Sequence, residues 1–207
     1  MQRKISIKRK TNEVDITGSL NIDGSGKSKV KTGIDFLDHM LTLFSFFGFF
    51  DLEIEAVGDL SHHANEDVAI AIGKAFGQAL GEGVGIKRYG FAFCPMDKSL
   101  SRCVIDISGR PSVSVVGKQV KTNAIDTTLE FTAIDPTLNY SLEEAKHFLE
   151  AFANSAKITI NIEAQFDGDL HHFLEAIFKS FGLALDMATQ IDHRREGVTS
   201  TKGVLDL

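Results

Sequence analysis

From residue 3 to residue 22 apolar and polar positions alternate. Ile5 and Ile7 are followed by Val14 and Ile16, then by Leu20 and Ile22, with breaks at Gly18 and at Asp23-Gly24-Ser25-Gly26. A period of two broken by glycine and aspartate predicts strands joined by turns. The period lengthens over residues 34–47, where Phe36, Leu37, Met40, Leu41, Phe44 and Phe47 recur at helical spacing. Leu52, Ile54 and Ala56 return to alternation, closed by Gly58-Asp59. Residues 66–80 predict a second helix with Val68, Ile72, Ala75, Phe76 and Leu80 on its apolar side, stopped by Gly81, Gly83 and Gly85.

The second half repeats this order. Val104 with Ile107 and Val113 with Val115 read as strands around the turn Ser108-Gly109-Arg110-Pro111. Residues 142–153 predict a helix, Ile158, Ile160 and Ile162 a strand, Asp167-Gly168-Asp169 a turn, and residues 175–188 a last helix. Each half is an α+β unit, and two such units are expected to share one layered core.

The repeat carries chemistry. His62-His63-Ala64-Asn65-Glu66 and His171-His172-Phe173-Leu174-Glu175 lie 109 residues apart, and the lone histidines ahead of them, His39 and His147, lie 108 apart. This register matches Gly73 with Gly182. A rival local match, Ala71-Ile72-Gly73-Lys74 with Ala176-Ile177-Phe178-Lys179, needs a four-residue shift, and the histidine register is preferred because chemistry constrains it more tightly. On a helix, His62 and Glu66 share a face while His63 is turned away by about 100°. Adjacent histidines therefore suit two different ions, or one ion and a substrate. Six imidazoles and two carboxylates divide into two sites of three histidines and one glutamate. Nitrogen and oxygen donors without thiolate admit manganese, iron, zinc or cobalt, and four protein ligands leave room for catalysis only at an octahedral ion such as manganese or iron.

Composition narrows the function. A net charge of −6 over 207 residues gives no basic face for nucleic acid, and Arg3, Lys4, Lys8, Arg9 and Lys10 read as the solvated side of a first strand. Cys94 and Cys103 have no CxxC spacing, and no charged-then-apolar leader opens the chain, so a reducing cytoplasm is expected. The run Phe44, Phe46, Phe47, Phe49, Phe50 is broken by Ser45 and Gly48, far short of the roughly 20 residues of a membrane span, and is expected to be buried packing. Three segments set a cation beside glycine: Gly85-Ile86-Lys87-Arg88, Ser108-Gly109-Arg110-Pro111 and Ser200-Thr201-Lys202-Gly203. Such groups suit phosphate. Glu13 and Asp97 are carboxylates outside the metal pattern.

Taken together, Arg9-Lys10-Thr11-Asn12-Glu13, Gly33-Ile34-Asp35-Phe36-Leu37-Asp38-His39-Met40-Leu41, the two histidine-glutamate segments, Gly85 to Gly90, Ser108 to Pro111 and Ser200 to Gly203 resemble the imidazoleglycerol-phosphate dehydratase family. The resemblance implies an α+β fold, an internally duplicated strand-helix unit (ribosomal protein S5 domain 2-like) with two sheets and helices packed between or against them. The halves are expected at 1–90 and 91–207 within one catalytic domain. It implies two Mn2+ per subunit, held by His39, His62, His63, Glu66, His147, His171, His172 and Glu175, with ligands of one ion drawn from different subunits. It further implies trimers assembled into a 24-subunit shell. Arg88, Arg110, Ser200 and Lys202 would take the phosphate of a small imidazole substrate, which His39, His62, Glu66 and Glu13 would also face. Glu13, Glu175 and Asp97 are the candidates for proton transfer as water leaves imidazole glycerol phosphate to give imidazole acetol phosphate.

The chain departs from the family pattern at Leu43, where glutamine is common, at Asp35, where proline is usual, and in the short Asp59-Leu60-Ser61 segment. None of these removes a ligand. The rival function is a non-catalytic metal-binding or storage oligomer, excluded if Glu13 and the cations converge on the metals. A di-iron oxidase predicts Glu-x-x-His pairs on four long helices, which the alternating pattern does not supply.

Overall fold

The computed structural model describes residues 3–121, 124–126, 134–135, 137–166 and 169–206. The first half forms β1 (Lys4–Lys10), β2 (Val14–Asn21), β3 (Ser28–Lys31), α1 (Asp35–Phe47), β4 (Asp51–Gly58) and α2 (Ser61–Leu80). The second forms β5 (Tyr89–Met96), β6 (Ser99–Asp106), β7 (Ser112–Lys121), β8 (Ala124–Asp126), β9 (Ile134–Asp135), β10 (Tyr140–Ser141), α3 (Leu142–Ala156), β11 (Thr159–Phe166) and α4 (Leu170–Thr189).

The strand orders reveal the duplication. The first sheet runs β1-β2-β4-β3 and the second β5-β6-β11-β7-β8. In both, the first three neighbours pair antiparallel, and the next pair, β4 with β3 or β11 with β7, is parallel. Helices α1 and α2 cover the inner face of the first sheet, α3 and α4 that of the second, and the helical layers meet as α1 on α4 and α2 on α3. The result is an α+β architecture of two outer sheets and four inner helices. Its centre is aromatic: Phe44 stacks on Phe181 at 5.1 Å between ring centres, and Phe152 meets Phe76 at 5.8 Å.

Two glycines let the helical layers close. A methyl group at Gly73 in α2 would lie 2.6 Å from the Phe152 carbonyl oxygen in α3, and one at Gly182 in α4 would lie 2.6 Å from that of Phe44 in α1. Gly73 and Gly182 are equivalent in the histidine register, as are Phe44 and Phe152. The packing therefore follows that register, and the four-residue shift would set Gly73 against bulky Phe178.

Several sequence expectations need correction. Strand β2 runs unbroken through Gly18, because a side chain there would strike the Glu53 backbone of β4. Helices α2 and α4 begin one turn before the glutamates, so each histidine pair lies in the first helical turn. Ile107 follows β6 rather than belonging to it. The hairpin strand β5 and the short β8 to β10 had no clear alternation. In the phenylalanine run, Phe44 and Phe50 are buried, but Phe46 and Phe49 are exposed (62% and 56%) because the end of α1 turns them outwards. Asp167 and Gly168 of the expected turn lie outside the described residues. Among the described residues, no helix is long and apolar enough to cross a membrane.

Candidate active site

The histidine segments meet across the duplication. His39 projects from α1 of the first half, and His171 and Glu175 from α4 of the second. His39 Nε2 lies 2.8 Å and His171 Nε2 3.0 Å from the same oxygen, Glu175 Oε1. Their ligand atoms fall within 4.8 Å of one another, a donor set that a divalent ion fits. The i, i+4 spacing of His171 and Glu175 places both on one helical face. Phe36 packs against both rings, its centre 6.4 Å from His39 and 5.3 Å from His171.

Glu175 is buried, and its second oxygen accepts a 2.5 Å hydrogen bond from Lys179 one turn on. Burial alone would raise this carboxyl, but the hydrogen bonds and charges of Lys179 and His39 outweigh it and hold it at about 2. The Lys179 ammonium also lies 3.2 Å from the Met96 sulfur and 5.7 Å from the Phe47 ring centre. Sequence reading assigned Lys179 no role, although its i+4 spacing from Glu175 was a usable signal.

The reciprocal cluster draws His147 from α3 and His62 and Glu66 from α2. The rings of His62 and His147 are 5.7 Å apart, and with Glu66 and Glu150 they line an open cavity of about 270 Å³. The two clusters differ. Glu66 is exposed, and the counterpart of Lys179 is Ile70, so no cation clamps it from that position. Asn65, inside the same segment, serves the core: it accepts from Tyr140 Oη at 2.8 Å and donates to the Glu144 carbonyl at 2.9 Å, tying α2 to α3.

His63 and His172 turn away from both clusters, as the 100° rotation predicts. His63 Nδ1 lies 2.7 Å from Asp59 Oδ1, a hydrogen bond that raises the histidine pKa and lowers that of the aspartate. His172 Nδ1 lies 3.3 Å from Asp169 Oδ2 and 3.5 Å from Asp97 Oδ2. Glu13 and Asp97 occupy equivalent hairpin tips, β1–β2 and β5–β6. The Glu13 carbonyl accepts from Asp59 N at 3.0 Å, and its charge acts on His63. Each tip carboxylate thus accompanies the histidine outside the cluster.

The cations gather elsewhere. Arg88, with a left-handed backbone (φ 73°), forks onto Asp106 at 2.7 and 3.2 Å and donates to the Thr199 carbonyl at 2.9 Å. Thr199 opens the loop in which Ser200 Oγ accepts from Lys202 N at 3.2 Å. Arg110 is exposed on the adjacent loop, where Gly109 approaches Asp206. Arg88 N also donates to the Ala188 carbonyl at the far end of α4. At 1.5 Å per residue, the stretch of α4 from Glu175 to Ala188 is about 20 Å long. Within one chain, the cation corner and the His39–Glu175 cluster therefore lie at opposite ends of that helix.

Comparisons with known proteins agree on one family. The family model described as imidazoleglycerol-phosphate dehydratase matches residues 32–185. A protein of that name from Acetivibrio thermocellus is 47% identical, the alignment covering 99% of this chain and 100% of the relative; one from Prochlorococcus marinus is 46% identical, covering 99% and 97%. The crystal structure of the Pyrococcus furiosus IGPD superposes with a TM-score of 0.79 at 34% identity, covering 96% of this chain and 100% of that one. The Staphylococcus aureus imidazoleglycerol-phosphate dehydratase gives 0.74 at 34% identity, covering 91% and 100%.

Proposed function

The chain belongs to the imidazoleglycerol-phosphate dehydratase family, and from that premise we propose how its residues divide the work. It is a hydro-lyase of histidine biosynthesis, removing water from imidazole glycerol phosphate. The observation that carries the site assignment is the convergence of His39, His171 and Glu175 from opposite halves on one point. His39, His171, Glu175 and a neighbouring copy's counterpart of His63 or His172 would hold one manganese ion; His62, His147 and Glu66 with the other would hold a second. Bound there, the ion would supply Lewis acidity towards the substrate's imidazole.

The chain's own groups do the rest. Arg88, Arg110, Ser200 and Lys202 bind the phosphate, through forked hydrogen bonds from arginine and point charge from lysine. The dehydration needs one group to take a carbon-bound proton and one to protonate the departing hydroxyl. Glu175, held at about 2 and engaged by Lys179, suits a ligand rather than a proton carrier. Glu13 takes the proton-transfer role, and Asp97 is kept beside His172 in a lesser one. The separation of about 20 Å between the cations and the His39 cluster supports an active site shared between copies. Trimers assembling into a 24-subunit shell would bring the two together. Residues 1–90 and 91–207 act as one catalytic domain, with the seam in the first residues of β5, and the cytoplasm is the compartment assigned.

Glu13→Gln tests the division of labour. It should keep manganese and assembly while turnover falls by about 100-fold or more. If that variant instead loses its metal, Glu13 is a ligand and the assignment fails.

A further inference from the structure

Each half carries a histidine that its own cluster does not use, and each of these rings meets a carboxylate at the start of its helix. His63 Nδ1 is 2.7 Å from Asp59, and His172 Nδ1 is 3.3 Å from Asp169. An ionised carboxylate only accepts, so in the neutral ring the hydrogen bond to Asp59 puts the His63 proton on Nδ1 and the lone pair on Nε2, and Asp169, at ion-pair distance from His172 Nδ1, favours the same tautomer there.

The two carboxylates are not counterparts in the duplication. In the histidine register Asp59 matches residue 168, and Asp169 matches Leu60. Asp59 reaches its ring from four residues back and Asp169 from three. The helix starts differ as well: α2 has Leu60 at its N-cap with no side-chain cap, whereas Asp169 caps α4 by accepting from His172 N at 3.1 Å. A contact carried along by duplication would sit at one position in both halves. Here two different helix starts reach the same ring nitrogen from different places, so holding the ring, rather than capping the helix, is what the halves share.

We propose that Asp59 and Asp169 are positioning residues that fix His63 and His172 with Nε2 presented as a metal ligand to a neighbouring copy. The inference rests on the metal reading above. An outer carboxylate of this kind orients the ligand and raises its basicity.

Asp59→Ala is the cleaner test, because His172 has Asp97 as a second acceptor at 3.5 Å. Asp59 is 54% exposed, so its melting temperature should stay near that of the parent. The full chain, stripped of metal, is titrated with MnCl2, with heat and the electron paramagnetic resonance of free manganese recorded. Asp59→Ala should weaken one class of site by about 10–100-fold. Asp59→Asn, whose amide oxygen still accepts from Nδ1, should recover most of that loss, and His63→Ala should lose at least as much as Asp59→Ala. Asp169→Ser, which keeps a capping oxygen but not the carboxylate, should weaken the other class by a smaller factor. If His63→Ala binds like the parent, the metal reading of His63 fails and the proposal with it. If His63→Ala is impaired and Asp59→Ala is not, the positioning role alone is overturned. An Asn variant as weak as the Ala variant overturns it in favour of a plain charge effect.

Discussion

Glu175 Oε1 lies 2.8 Å from His39 Nε2, a contact that joins the two halves of a duplicated chain. Lys179 holds the other carboxylate oxygen, so the carboxylate is ionised and oriented in the chain by itself. The depressed carboxyl also makes an acid-side prediction for the metal-free chain. Its pKa falls from an ordinary 4.5 to about 2 on folding, so its stabilisation is complete above about 4.5 and lost as pH drops towards 2. Lys179→Met, which leaves His39 as a partner of Glu175, should cost about 2–3 kcal/mol in urea unfolding at pH 7. It should also flatten the decline of stability between pH 4.5 and 2. An unchanged decline would show that Lys179 does not set the Glu175 charge.

The paired glycines predict a symmetrical cost. Gly73→Ala and Gly182→Ala each press a methyl group onto a carbonyl oxygen of the facing helix and should destabilise by about 1–3 kcal/mol. Gly77, also in α2, has only ordinary contacts at 3.7 Å and beyond, so Gly77→Ala should stabilise by about 0.5–1 kcal/mol. Denaturant unfolding of the three variants separates tight packing from helix propensity.

The two arginines should part company in kinetics. Arg110 is exposed, so Arg110→Met should raise KM for imidazole glycerol phosphate by about 10-fold or more with the melting temperature unchanged. Arg88 also braces Asp106 and the Thr199 carbonyl, so Arg88→Met should raise KM and lower the melting temperature together. Steady-state kinetics beside thermal melts would distinguish them, and equal effects on both quantities would contradict the assignment.

Much of this was legible in the sequence, for identifiable reasons. Alternation located β1, β4 and β11 because one face of each strand is buried, and the histidine register matched Gly73 with Gly182, the two glycines at which the helical layers close. Gly18 misled, since in a sheet its missing side chain permits a close approach of β4 rather than a turn. The starts of α2 and α4 were placed late because two adjacent histidines in each first turn interrupt the apolar period, although Ala64, Leu170 and Phe173 beside them are buried. What the sequence could not show was the crossing of the halves, in which His39 meets Glu175 and the ring of His147 meets that of His62. That depends on α1 packing on α4 and α2 on α3, a tertiary choice that no local period records. Lys179 stands four residues after Glu175, a helical spacing legible in the sequence, whereas Asp59 precedes its helix and its role shows only beside His63.

The most direct test of the account is turnover as a function of bound manganese. Metal-free protein should be inactive, and activity should rise with each equivalent of manganese and level off at two per subunit, with the large assembly forming as it does. Robust dehydration of imidazole glycerol phosphate by protein shown to be metal-free would contradict it.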